Sequence, residues 1–96
     1  MAEIKIVLTP KAEEDLREIF DYLAEFSLNA ADAQAGKILS KIDLLANFPR
    51  LGRVLPDYNN DRLRELVIGH YLVAYYIVSD EQIDILAIHH SAEPKG

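Results

Sequence analysis

No cysteine occurs in this chain. That absence removes disulfides, thiolate nucleophiles and zinc–sulfur sites together, and it fits a reducing compartment. No early apolar run resembles a secretion signal, and no run approaches the roughly 20 residues that span a bilayer. The expectation is a soluble, cytoplasmic protein with no membrane partner. Glycine is scarce, and its 4 residues are too scattered to form a loop that cradles phosphate. Positive charge is also in short supply: 10 Lys and Arg face 16 Asp and Glu, a net charge of −6. Nucleic-acid affinity follows phosphate neutralisation by basic side chains, so this balance argues against an obligatory RNA or DNA partner. The positive charge that exists is concentrated. Residues 50–64 hold Arg50, Arg53, Arg62 and Arg64 against Asp57 and Asp61, whereas residues 1–49 carry nine acids against five bases.

What is present is a core. Half of the 96 residues are hydrophobic, enough for one domain over 1–96 that buries roughly 60–65% of its unfolded surface. Ile4, Ile6 and Leu8 alternate with Lys5, Val7 and Thr9, the period of a short strand. Thr9-Pro10 reads as a helix start: the hydroxyl caps free amides, and proline at the first helical position loses no hydrogen bond. Glu13, Glu14 and Asp15 follow where the helix dipole favours acids. Leu16, Ile19, Phe20, Leu23 and Phe26 form an apolar stripe at helical spacing, in a helix running to about Glu25. Asn29, with Asp32 three positions on, is the expected cap of a second helix. Its seam is Ala31, Ala35, Ile38, Ile42 and Leu45, ended by Pro49 and Gly52. The short link implies an antiparallel helical hairpin.

Residues 54–61 carry turn chemistry and no regular pattern. Leu63–Ile68, Tyr71–Val78 and Gln82–His89 are then dense in β-branched and aromatic residues. Their gaps suit hairpins, which predicts an antiparallel meander with the nearly all-apolar last strand central and the N-terminal strand joining the sheet. The fold class is α+β, in the order β-α-α-β-β-β, with a helical hairpin on a small, mostly antiparallel sheet.

Few constellations carry chemistry. His89 and His90 are strand neighbours that point to opposite faces, so they do not share an ion, and no carboxylate spacing completes a site with His70. No metal or cofactor is expected. Ser91 lies near His89 but lacks the strained elbow of a nucleophilic serine. Metal-free RNA cleavage needs a base, cations for the phosphate and an acid for the leaving oxygen. Arg53, Arg64, Tyr71, Tyr75 and His89 supply those residue types. The alternative is structural: tyrosines packed over the core, and arginines paired with Asp61 and Glu65. The acids of the first helix mostly point away from its stripe, as on any solvated face.

One succession covers nearly the whole chain: Leu8-Thr9-Pro10, Asp15-Leu16-x-x-Ile19-x-x-Tyr22, Pro49-x-x-Gly52-Arg53, Arg64-Glu65-Leu66, Tyr71-x-Val73-x-Tyr75, and a last strand reaching His89. It resembles the ParE/RelE superfamily of small bacterial toxins, the poison halves of toxin–antitoxin pairs. The resemblance implies the same fold. It also implies a cognate antitoxin whose helical and extended tail wraps the toxin, with Phe20, Leu23 and Phe26 as candidate contacts. RelE-like members cut mRNA on the ribosome; ParE-like members are associated with poisoning DNA gyrase. The nuclease branch would place Arg53, Arg64, Tyr71 and His89 in catalysis. Against it, the position after Tyr71 is Leu72 where relatives often carry Arg or Lys. The ending is His89-His90-Ser91 rather than His-x-Arg, and the chain is acidic. Each missing arginine contact would remove about 1.5–3 kcal/mol, so two would slow a reaction by about 10²–10⁴. The expectation is a ParE-like, non-enzymatic toxin. A RelE-like endoribonuclease and a non-toxic interaction module with the same fold are the alternatives.

Overall fold

The computed structural model describes residues 3–91. The chain runs β1 (Lys5–Leu8), α1 (Pro10–Ala24), α2 (Leu28–Asp43), a turn of 3-10 helix (Leu44–Ala46), β2 (Arg53–Val54), β3 (Leu63–Ile68), β4 (Tyr71–Ser79) and β5 (Gln82–His90). The sheet order is β1-β5-β4-β3-β2, antiparallel except for the parallel pair β1–β5. The helical hairpin covers one face. Two-residue turns close β3–β4 and β4–β5, as the short gaps predicted. At Gly69 the first turn uses φ +59°, a conformation glycine adopts without steric cost.

Three expectations change in detail. The second helix is capped by Ser27, whose hydroxyl accepts from the Ala30 amide at 3.1 Å. Asn29 therefore lies inside the helix; both residues are good caps, and the earlier one shortens the link. The turn-rich stretch begins with the two-residue strand β2, too short to give a period, which pairs Arg53 with Glu65 and Val54 with Arg64. The last strand is interior, but β4 is the middle of the five.

The core comes mainly from α2 and the sheet. Ile38, Ile42 and Leu45 are fully buried against Leu66, Ile68, Val73, Tyr75, Ile83, Ile85 and Ile88. From α1 only Ala12 and Asp15 are buried, while Leu16 and Ile19 pack half-exposed at its margin. Phe26 falls past the helix end and is 74% exposed, so it does not belong to the buried stripe.

The seam between α1 and β5 is polar. β1 pairs with β5 only as far as Ile85, and a bulge between Ala74 and Tyr75 leaves Leu86 out of register. The β5 backbone beyond that point needs other partners, because buried peptide groups are almost always bonded. Thr9 supplies the first: its amide donates to the Ile85 carbonyl at 3.1 Å and its hydroxyl to the same oxygen at 2.8 Å. The same hydroxyl accepts from the Ala12 amide at 3.2 Å, capping α1. Asp15 supplies the second. Its Oδ2 accepts from the Ile88 amide at 2.9 Å, while Oδ1 pairs with Lys11. The sequence assigns Asp15 to the helix dipole; the fold uses it to tie a helix to a strand.

Asp15→Ala leaves the Ile88 amide buried without an acceptor and should cost about 1–3 kcal/mol in urea unfolding. Glu14→Ala, one position away on the exposed side, should be close to neutral, and equal losses would remove this role from Asp15.

Candidate functional site

The cationic segment wraps around one buried tyrosine. Tyr75 is fully buried; its hydroxyl donates to the Pro49 carbonyl at 2.8 Å and accepts from the Gly52 amide at 2.8 Å. A Cβ on Gly52 would lie 2.7 Å from the Tyr75 ring and 2.8 Å from the Glu65 carbonyl, so only glycine permits this approach. Burial raises the Tyr75 pKa above 10.0, opposed by the Gly52 hydrogen bond and by the Arg64 and Arg50 charges. Arg64 stands opposite Tyr75 on the helix-covered face and is itself buried. Its Nη1 donates to the carbonyls of Gly52 at 2.8 Å and Arg50 at 3.2 Å, Nε to the Asp61 carbonyl at 2.9 Å, and Nη2 to the Asp61 carboxylate at 2.7 Å. Arg50 reaches the other Asp61 oxygen at 2.8 Å. A single guanidinium thus closes residues 50–61 onto β3.

The other three nuclease candidates lie elsewhere. Arg53 is on the uncovered face, where its Nη2 meets the buried Glu65 carboxylate at 2.7 Å. His89 shares that face, opposite Leu72. Three strand spacings, roughly 14 Å, separate β2 from β5. Tyr71 lies on the covered face, half-buried, its ring perpendicular to that of His90 with centroids 5.2 Å apart. Burial raises its pKa, with the nearby Tyr22 adding to the rise. The sheet does not gather Arg53, Arg64, Tyr71 and His89 on one face. The residue brought beside His90 is instead His70, from the β3–β4 turn.

The apolar surface has two notable regions on the hairpin side. An open pocket of about 340 Å³ lies between β1, α1 and α2, lined by Leu8, Leu16, Phe20 and Ala35, with Glu13 and Arg17 among its walls. At the hairpin tip Tyr22, Phe26 and Leu28 are 63%, 74% and 60% exposed, and the two rings pack edge to face at 5.4 Å. Of the predicted contacts, Phe20 lines the pocket, Leu23 is half-buried and Phe26 stands at the tip. Tyr22, not among the contact residues singled out from the sequence, shares the tip with Phe26, four positions on along the chain.

Residues 6–94 match the profile of the ParE toxin of type II toxin–antitoxin systems, parDE. The chain belongs to the ParE toxin family. This toxin is 36% identical over 88 residues to Toxin RelE2 of Caulobacter vibrioides, covering 92% of this chain and 96% of that one. Among solved structures it is similar to a chain of the chromosomal ParDE system from P. aeruginosa, with a TM-score of 0.74, 22% identity, and 92% and 96% of the two chains covered. It is also similar to a chain of the RelBE2 toxin–antitoxin complex from Mycobacterium tuberculosis, with a TM-score of 0.61, 22% identity and 97% of each chain covered. These likenesses establish the fold of two helices on a mixed five-stranded sheet. The relatives place the chain among type II toxins. No helix among the described residues is long and apolar enough to cross a membrane.

A buried tyrosine with a raised pKa makes this toxin sensitive to alkali. The folded state holds its proton above the pH at which the unfolded chain releases it. Stability is therefore full below about pH 10 and declines as pH rises beyond it. Tyr75→Phe should lower stability near neutrality by about 1–3 kcal/mol, through the unpaired Gly52 and Pro49 groups, and should flatten the alkaline decline. An unchanged alkaline slope in urea titrations would exclude Tyr75 as its source.

Proposed function

We propose that this toxin is ParE-like: it arrests growth by binding a protein target, DNA gyrase, and is neutralised by a cognate antitoxin. The observation that carries the reading is the dispersal of the cationic and acid–base residues. Arg64 directs its donors into backbone and Asp61, Arg53 is paired with Glu65, and His89 faces Leu72 across the strand pair. RNA cleavage requires its base, acid and phosphate cation within hydrogen-bond reach of one scissile group. In this arrangement such a set would have to be assembled by large movements or by the target itself.

The antitoxin reading draws support from the systems in which the similar toxins occur, ParDE and RelBE2. On this toxin the tail would lie along α1, with one apolar anchor in the Phe20 pocket and another against Leu23, Tyr22 and Phe26. Amphipathic helices commonly bury such anchors in grooves of this kind. The name of the Caulobacter relative, Toxin RelE2, keeps one alternative in view: a ribosome-dependent mRNA endoribonuclease using Arg53, Arg64, Tyr71 and His89.

Expression without antitoxin, with DNA replication and mRNA integrity followed together, tests the reading. The expected result is arrest with damaged DNA and intact message, unchanged by His89→Ala. Cut mRNA that disappears in His89→Ala or Arg53→Ala would establish the nuclease instead; both residues lie on the uncovered face, away from the buried clamp. Normal growth at confirmed soluble expression would indicate a non-toxic interaction module. For the antitoxin, Phe20→Ala and Tyr22→Ala should each weaken binding about tenfold or more, the scale of a central anchor. Unchanged titration curves for both would move the antitoxin to another surface.

A further inference from the structure

β4 divides its side chains between two faces. Val73, Tyr75 and Ile77 are buried under the hairpin, so Leu72, Ala74 and Tyr76 stand half-buried on the uncovered face. In β5 the buried residues are Ile83, Ile85 and Ile88, which turns Asp84, Ala87 and His89 outward beside them. Positions five apart on a regular strand face opposite ways. Asp84 and His89 share a face only because the bulge between Ala74 and Tyr75 leaves Leu86 out of step. Pairing then sets three rows across the sheet: Leu72 beside His89, Ala74 beside Ala87, and Tyr76 beside Asp84. The outer rows lie about 7 Å to either side of the alanines. Gln82 donates to Asp84 Oδ1 at 2.8 Å. Among the described residues nothing else bonds that carboxylate, and the His89 ring has no hydrogen bond or ion pair.

We propose that a second copy of this chain docks on the uncovered face, in a two-fold dimer whose axis runs along the Ala74–Ala87 row. Rotation about that axis exchanges the two outer rows. Asp84 of each copy then meets the partner's His89, and Tyr76 lies over the partner's Leu72. Alanine opposes alanine at the axis, where small side chains allow close approach. A surface that complements itself under such a rotation is what an isologous dimer requires. Packed sheets stand about 10 Å apart, within the combined reach of an aspartate and a histidine. Arg53 falls near its own counterpart, a repulsion offset by its buried partner Glu65. The face spans four strand spacings by the length from Leu72 to Val78, about 19 Å by 20 Å. Two copies therefore cover about 800 Å², the size of a weak, reversible contact. The hairpin lies on the other side, so the Phe20 pocket and Tyr22 stay outside this interface.

The test follows the oligomeric state of the full chain, without antitoxin, by sedimentation velocity over a dilution series. The expected result is a monomer–dimer equilibrium with a Kd of about 10–300 μM, as suits so small an interface. His89→Asp presents only acids at the two exchanging positions; Asp84→Lys combined with His89→Lys presents only cations. Each variant should self-associate about tenfold or more weakly than the native chain, because like charges then face each other twice. Mixed in equal amounts, the two variants should dimerise with each other, since every contact then joins an acid to a lysine. A variant that had merely failed to fold would not be rescued in this way. A native chain that stays monomeric up to about 1 mM overturns the proposal and leaves the face to a different partner. Dimers that resist both variants use another surface, and a mixture that fails to associate rules out this axis; either result overturns it.

Discussion

The fold depends on how β5 satisfies its backbone after β1 ends. A strand buried in a sheet cannot leave its amides and carbonyls without partners, since each orphan costs about 1–3 kcal/mol. β1 is four residues long and stops at Leu8, opposite Ile85. From there α1 takes over the role of a neighbouring strand. Thr9 closes onto the Ile85 carbonyl and caps the helix with the same oxygen, and Asp15 receives the Ile88 amide two turns later. The helix is thereby fixed in rotation and height against the sheet. Its apolar residues need not be fully buried to hold it, and Phe20 stays half-buried and Tyr22 exposed.

A second constraint fixes the other end of the sheet. Residues 50–61 contain no regular structure beyond β2, yet they are tied to β3 and β4 by Arg64 and Tyr75. The tyrosine hydroxyl bridges Pro49 and Gly52, and the guanidinium gathers carbonyls from residues 50, 52 and 61. Hydrogen bonds from a charged group to backbone are worth more than neutral ones. Residue types that would suit phosphate chemistry are here committed to loop closure. The only local excess of positive charge in an acidic chain is largely consumed internally, by Asp61 and Glu65.

Reading the sequence succeeded where local chemistry is strong. Thr9-Pro10 marks a helix start in any context, and the meander follows from dense β-branched runs with short gaps between them. It faltered where two local solutions are nearly equal, as with Ser27 and Asn29, or where an element is too short for a period, as with β2. It also gave Asp15 a role that any acid in a first turn can play. Which of Glu13, Glu14 and Asp15 turns inward depends on the angle at which α1 meets β5.

The resemblance to ParE and RelE toxins was legible because ordered motifs survive in the sequence, and it carried the fold with it. Alone, the sequence determined the element order, the apolar seams of the hairpin, the acidic balance and the inventory of arginines, tyrosines and histidines. These properties are local or compositional, so they do not depend on how distant segments meet. Tertiary structure alone decided that Arg64 closes a loop and that Arg53 and His89 lie on the opposite face from Tyr71. It also decided that His70, rather than His89, meets His90. Side chains alternate across a strand and register slips at a bulge, so the face a residue occupies emerges only once the strands are paired.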